Sequence, residues 1–322
     1  MSLFATSAPM RRVVEDIARA AGQPAHVLLI GEAGTGRTLV AQAIHARSRD
    51  SAGPFVAVDC AQSPQDLEAQ LFGSAGHRGP VERRTLERVR ASAQLLQSKG
   101  GTLYLQNAVE LPARIQMRLV RVLRDREVVV AESGARVELD HRVISSADGA
   151  LDSAVLEGRL LADLHRRLSG LRIEVPALRD RSQDIPALAV HLLTQLCDRE
   201  SLPQKHLSDA AISVLAALPW RGNGNELSAL LEVLATRTAS AAITLDDLLR
   251  HVSLDGRTTS FPVGGTLRQA RARFESEYIA AVLARHSGSI PRAARTLGIQ
   301  RSNLYRKIRH LRVKAAPGRP AR

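Results

Sequence analysis

The stretch Val27–Thr38, VLLIGEAGTGRT, constrains the fold more than any other segment of the chain. Four consecutive apolar residues followed by a glycine-rich turn describe a strand buried on both faces, as in a parallel sheet. A segment with helical spacing follows from about Thr38 to Arg47. Gly31, Gly34 and Gly36 supply the turn, Glu32, Ala33 and Thr35 complete it, and Arg37 and Thr38 open the helix. Such a turn presents backbone N–H groups to a phosphate while the helix N-terminus adds positive potential. Residues Gly31, Glu32, Ala33, Gly34, Thr35, Gly36, Arg37 and Thr38 are therefore candidate nucleotide-binding residues. A lysine usually reaches the β- and γ-phosphates from the position that Arg37 holds. Thr38 has a hydroxyl suited to Mg²⁺. The same pattern also suits a plain strand-to-helix turn.

Around this element, residues 1–175 alternate strand and helix patterns. Ala8–Ala21 carries Met10, Val13, Val14 and Ile17 at helical spacing, and Phe55–Val58, Thr102–Leu105 and His141–Ser145 read as further strands. Alternation over this length predicts a parallel sheet with helices on both faces. From Pro176 the pattern is all-helical, with amphipathic segments at Ile185–Asp198, Ser208–Ala217, Asn225–Ser240 and Asp246–His251. Residues 255–265, DGRTTSFPVGG, read as a linker. Cys60 and Cys197 lie far apart, which excludes a disulfide scaffold and gives no metal-ligand spacing. No apolar run approaches a membrane span, and the start, MSLFATSAPMRR, lacks the order of a secretion signal, so the expectation is a cytoplasmic protein without membrane contact.

Charge is concentrated at one end. Residues 266–322 hold 14 basic and two acidic residues, +12 of the chain's formal +13. Such asymmetry points to an anionic partner, double-stranded DNA first. Leu267–His286 reads as an amphipathic helix with Phe274, Tyr278, Ile279, Val282 and Leu283 on one stripe. A short helix, Pro291–Leu297, a turn at Gly298–Gln300 and a second helix from Arg301 to about Leu311 follow. Ala294 and Gly298, four apart, provide the small residue at a helix crossing and the turn glycine of a helix-turn-helix. Leu304, Ile308 and Leu311 face inward. The candidate DNA-binding residues are Arg292, Gln300, Arg301, Ser302, Asn303, Tyr305, Arg306, Lys307 and Arg309. Arginine pairs bidentately with guanine, asparagine with adenine, and hydroxyls with phosphate oxygens. The alternative is a solvated cationic helix in a small bundle.

The segment LRQARARFESEYIAAVLARHSGSIPRAARTLGIQRSNLYRKIRHL resembles the Fis-type helix-turn-helix that ends many bacterial enhancer-binding regulators. The resemblance implies that the long first helix helps two such modules dimerise over inverted half-sites. Upstream, PMRRVVEDIARAAGQPAHVLLIGEAGTGRTLVAQAIHARS, PFVAVDCAQ, LEAQLFG, GGTLYLQNAVELP, HRVISSADGAL, VPALRDRSQDIPALAVHLL and PWRGNGNEL resemble the AAA+ central domain of sigma-54-dependent activators, in that family's order. The implied class is α/β: a P-loop parallel sheet with helices on both faces, a small helical lid, and an all-α helix-turn-helix domain. The corresponding layout is an AAA+ domain at 1–175, a lid at 176–254, the linker, the helix-turn-helix at 266–314 and a disordered tail at 315–322.

Carried over position by position, the resemblance implies losses in the hydrolytic apparatus. The loop lysine is Arg37. The Walker B Asp-Glu pair is Gln106-Asn107, and the Asn that restrains that Glu is Asp59. The sensor Asn is Asp148, and of two trans-acting arginines the first is Leu161 while Arg167 remains. The lid arginine of PWPGNVREL is Asn225. Neutral amides bring no negative charge to Mg²⁺ and accept no proton at neutral pH. No catalytic residue is assigned, and hydrolysis is not expected. No cofactor is required by this reading, and ATP or another nucleotide held without turnover is an added option. The sigma-54-contacting Gly-Ala-Phe-Thr-Gly-Ala loop is also absent after Phe72–Gly73. In its place Leu86, Val89, Ala93 and Leu96 fall on a helical stripe flanked by Arg83, Arg84, Arg88 and Arg90. That stripe suits either a helix packed on the body or a new contact for DNA, an acidic partner or an anionic ligand. The expectation is a DNA-binding regulator, with no sensory domain before Ala8, that acts without sigma-54 remodelling. Its partners are DNA, RNA polymerase or another regulator, and further copies of itself. An ATP-hydrolysing sigma-54 activator is the alternative.

Overall fold

The computed structural model describes residues 3–73, 86–149 and 151–251, and six isolated positions beyond them: 279, 290, 291, 294, 301 and 304. The chain divides into two compact units, Met1–Val252 and Ser253–Arg322.

In the first unit, helix α1 (Ala8–Ala21) leads into strand β1 (Val27–Ile30), the glycine turn and α2 (Arg37–Arg47). Then come β2 (Phe55–Asp59), α3 (Pro64–Phe72), β3 (Glu87–Val89), the short α4 (Gln94–Gln97) and β4 (Thr102–Gln106). After α5 (Ala113–Asp125) the chain forms β5 (Glu127–Val130), β6 (Arg136–Glu138), β7 (Arg142–Ala147), α6 (Leu151–Leu156), α7 (Ala162–Leu168) and β8 (Leu171–Glu174). Five strands form an all-parallel sheet in the order β2-β4-β7-β1-β8. Its apolar runs fit burial on both faces: Leu29, Tyr104 and Ile144 meet α1 and α2 on one side, and Leu28, Leu103 and Val143 join the opposite core. Four of the strands thus lie where the apolar runs put them, while the edge strand β8, LRIE, has no such run; the ends of β1, β4 and β7 meet beside the glycine turn.

A 3₁₀ segment, Leu178–Asp184, opens the lid, which continues through α8 (Ile185–Arg199), β9 (His206–Leu207), α9 (Asp209–Ala217), α10 (Asn223–Arg237), β10 (Ala242–Ile243) and α11 (Leu245–His251). Its core is separate, built on Leu193, Leu215, Leu227, Leu231 and Trp220, whose indole N–H donates to the Leu215 carbonyl at 2.8 Å. The lid is tied to the start of α1 at Asp184, which is fully buried and accepts from the Thr6 and Ser7 backbone N–H groups at 2.7 and 2.8 Å and from the Ser7 hydroxyl at 2.6 Å. Ser7 also caps α1.

The helical stripe expected through Leu86, Val89, Ala93 and Leu96 is not formed. Glu87–Val89 is a strand that pairs parallel with β5, which in turn pairs antiparallel with β6 in a second, three-stranded sheet. With side chains alternating along the strand, Glu87 and Val89 turn inward and Arg88 outward. Glu87 is buried because Arg118 of α5 donates to it at 2.6 Å, to Glu68 at 2.7 Å and to the Arg88 carbonyl at 3.2 Å, while stacking 3.7 Å above the Phe72 ring. A hydrophobic count assigns a glutamate to solvent, and this one is held inside by its partner. Arg83 and Arg84 lie outside the described residues.

In the second unit the six described positions are helical; Ile279, Ala294 and Leu304 are buried, and Pro291 and Arg301 are exposed.

Candidate functional site

The turn after β1 begins where the Gly31 N–H donates to Ala147 at the end of β7, at 3.1 Å. Gly34 and Gly36 take φ of +77° and +97°, a region that favours glycine. Gly36 caps α2 with no side-chain bond, so the first N–H groups of that helix remain a ready anion site.

The lid grips the turn from outside. Arg179 pairs with both Glu32 carboxylate oxygens, and the Asn223 amide donates to Glu32 and to the Ala33 carbonyl, each at 3.0 Å. The Gly224 N–H donates to the Gly34 carbonyl at 3.0 Å, and Arg181 to the Thr35 carbonyl at 2.7 Å. The Arg179 bonds, then the Asn223 bond, hold the Glu32 carboxyl down at about 2. A Cβ on Gly34 would lie 2.6 Å from the Gly222 carbonyl, and one on Gly224 2.9 Å from that of Gly34. Both glycines are needed for this backbone-to-backbone approach.

Turn and lid enclose a cavity of about 390 Å³ lined by Gly34 through Val40, with Leu3, Phe4, Leu188 and Leu192 as an apolar wall. Gln106, Asn107 and Asn225 also line it. At its floor Arg37 donates to the Asn107 amide oxygen at 3.1 Å, and the Asn107 amide nitrogen donates to Asp59 at 3.1 Å. Asn107 sits in the left-handed region, φ +54°, with its backbone N–H on the Ser146 hydroxyl at 3.3 Å. Two guanidinium atoms at this cavity are buried without a partner, Nη1 of Arg37 and Nε of Arg181. Arg181 is 8% exposed, and burial lowers its pKa, with Asp184 opposing the shift.

The structure therefore gathers Arg37, Thr38, Gln106, Asn107 and Asn225 at one cavity, with Asp59 behind Asn107. Asp148 is exposed just past β7; Leu161 sits at the start of α7 with its N–H on Gln116 at 2.7 Å; Arg167 pairs with Asp163 at 3.4 Å. These three do not line it. Sequence reasoning missed Arg179, Arg181 and Asn223, although the charged run LRDR and the glycine-flanked Asn223 were available as signals. Of the DNA-binding candidates, Arg301 is exposed on a helix; Arg292, Gln300, Ser302, Asn303, Tyr305, Arg306, Lys307 and Arg309 lie outside the described residues.

A phosphate-type turn between a parallel strand and a helix, under a helical lid, defines a P-loop ATPase-like fold. Residues 3–174 match the sigma-54 interaction domain, 179–260 an AAA+ ATPase lid domain, and 270–311 the Fis family of bacterial regulatory proteins. The chain belongs to the sigma-54 activator family, with a C-terminal Fis-type helix-turn-helix. It is 33% identical over 302 residues to the transcriptional regulatory protein GlrR of Escherichia coli, covering 93% of this chain and 65% of GlrR. It is 34% identical over 297 residues to the nitrogen assimilation regulatory protein NtrX of Azorhizobium caulinodans, covering 89% and 64%. The chain thus spans a little under two thirds of these relatives' length. Among solved structures, NtrX from Brucella abortus in complex with ADP is 32% identical with a TM-score of 0.69, covering 97% of this chain and 70% of that one. The same protein in complex with ATP gives 33%, 0.65, 97% and 69%. No described helix is long and apolar enough to cross a membrane.

Proposed function

We propose that this chain is a sequence-specific DNA-binding transcription regulator whose AAA+ body holds nucleotide without hydrolysing it and serves as an assembly platform. It acts without remodelling sigma-54 polymerase, in the cytoplasm, through DNA, RNA polymerase or another regulator, and further copies of itself. The domain layout and the DNA-reading side chains, Arg301 among them, are those read from the sequence.

The observation that carries this reading is the chain of bonds from Arg37 through Asn107 to Asp59. Where the family resemblance places a carboxylate that orients the attacking water, a neutral amide is fixed by both its ends. An amide takes no proton at neutral pH. Loss of one such group costs on the order of 10²–10⁵ in rate, and Gln106 and Asn225 mark further losses. Nucleotide binding draws support from the glycine turn and from the ADP and ATP complexes of Brucella NtrX.

Family membership favours a second reading, an ATP-driven sigma-54 activator, since the sigma-54 interaction domain match spans residues 3–174. Phosphate release by the full chain separates the two. The first reading expects no turnover above buffer, with and without DNA. Steady turnover that Gln106→Ala abolishes establishes the second.

A further inference from the structure

We infer that this site takes a nucleoside di- or triphosphate without a divalent cation. The inference rests on the part of the proposed function in which the body holds nucleotide.

Mg²⁺ is held by one or two carboxylates together with phosphate oxygens and water. The cavity wall does not offer that donor set. Apart from Asp184, the side-chain oxygens in the lining are neutral, among them the Thr38 and Ser146 hydroxyls and the Gln106 and Asn107 amides. Asp184 is the acidic residue in the lining, and both its oxygens are occupied by Thr6 and Ser7. Asp59 is not in the lining and accepts from Asn107 and the Ala61 N–H, each at 3.1 Å. Among the described residues, no three His, Cys, Asp or Glu side chains form a metal-holding group. The resident metal implied by the family resemblance does not fit here.

A nucleotide does fit. Arg37 and Arg181 both line the cavity, and each buries a guanidinium nitrogen with no partner. A buried N–H without an acceptor is costly, and phosphate oxygen is the acceptor that a guanidinium fork matches best. The turn's own bonds to the lid use the carbonyls of Ala33, Gly34 and Thr35, so the lid does not compete for the amides. The apolar wall of Leu3, Phe4, Leu188 and Leu192 suits a base. Two fixed cations with no free carboxylate in the cavity lining prefer the more negative, metal-free polyphosphate. Arg37 supplies the positive charge that Mg²⁺ supplies elsewhere.

The test is titration calorimetry of the full chain with ATP and with ADP, in EDTA and in excess Mg²⁺. The expected result is binding in EDTA at least as tight as in Mg²⁺, for both nucleotides. Arg37→Gln, which keeps much of the side chain's shape and removes its charge, should weaken binding about 10- to 100-fold in either buffer. Gln106→Ala should leave the ratio between the two buffers unchanged. Tenfold or greater tightening by Mg²⁺ overturns the inference, as does unchanged affinity in Arg37→Gln. Absence of binding in both buffers overturns it together with the nucleotide-holding part of the proposed function, and leaves the DNA-binding, non-hydrolysing part standing. Phosphate release is scored separately, and turnover overturns that reading alone.

Discussion

The amide–carboxylate pair at the cavity floor makes a quantitative prediction. Asn107 and Asp59 stand 3.1 Å apart in a bond from amide nitrogen to carboxylate oxygen. Asn107→Glu converts that attraction into two like charges at nearly the same distance. At an effective dielectric of about 20 their repulsion is about 5 kcal/mol. Asp59 is only partly buried, so water and salt reduce the measurable part to roughly 1–2 kcal/mol. Arg37, already bonded to the same side-chain position, offsets some of the cost but cannot move away from it. Asp59→Asn alone is mild, because two amides still pair. Combined with Asn107→Glu it restores an amide opposite a carboxylate, in reversed order. Urea unfolding of the four chains should therefore show the double variant more stable than the sum of the single changes by about 1–2 kcal/mol, a gap that shrinks in about 1 M salt as the screening length falls to about 3 Å. Additivity within about 0.5 kcal/mol would refute the argument that this pair is coupled through its bond.

Three further outcomes follow from the packing. Arg118→Ala should destabilise the first unit by about 3–5 kcal/mol in urea unfolding, because Glu68 and Glu87 lose their buried partner; a loss below about 1 kcal/mol contradicts the assignment of Glu87 to the interior. His26 and His141 are held at about 4 chiefly by burial, and the His26 ring accepts the Val143 N–H at 3.0 Å, which only the neutral ring can do. Their folded values are depressed, so the unfolded chain takes up protons first: stability is full above about pH 6.5 and falls progressively toward pH 4. A chain with both replaced by Gln should lose most of that slope in pH-dependent unfolding, and an unchanged slope counts against it. Gly224→Val places a Cβ 2.9 Å from the Gly34 carbonyl oxygen, too close for contact, and should raise hydrogen exchange across 222–226; unchanged exchange would mean the lid does not depend on the close approach.

How far the sequence could be read depended on which force placed each residue. The parallel sheet is legible because strands buried on both faces are mostly apolar, as Val27–Ile30 and Leu103–Leu105 are, although the buried β7 also carries Arg142, Ser145 and Ser146. The turn was legible through its glycines, and the lid helices through their spacing. The second sheet was not. Strand β3 is three residues long, and one of its two inward residues is charged. Periodicity over LERVRASAQL therefore favoured a helix, whereas pairing with β5 and the Arg118 bonds decided the outcome. The lid contacts were hidden for a different reason. Arg179, Arg181 and Asn223 meet the turn across more than 140 residues of sequence, and local pattern carries no information about such meetings.

Which side of the turn the lid holds bears on what nucleotide can do there. A motor needs a lid whose position follows the state of its nucleotide, so the contacts that fix the lid must run through the phosphates. Here Glu32, Ala33, Gly34 and Thr35 are each bonded to the lid directly. On the proposed reading, nucleotide then adds to an arrangement already closed, as a stabiliser and not as a switch. Ligand at about 100 times its dissociation constant should stabilise the unit by about 2.7 kcal/mol, and ATP and ADP should do so alike when compared at equal occupancy. Hydrogen exchange across 178–181 and 222–226 should be the same with either. Were the two nucleotides to leave those segments differently protected, the lid would be reading the terminal phosphate, and the direct bonds would not be what holds it.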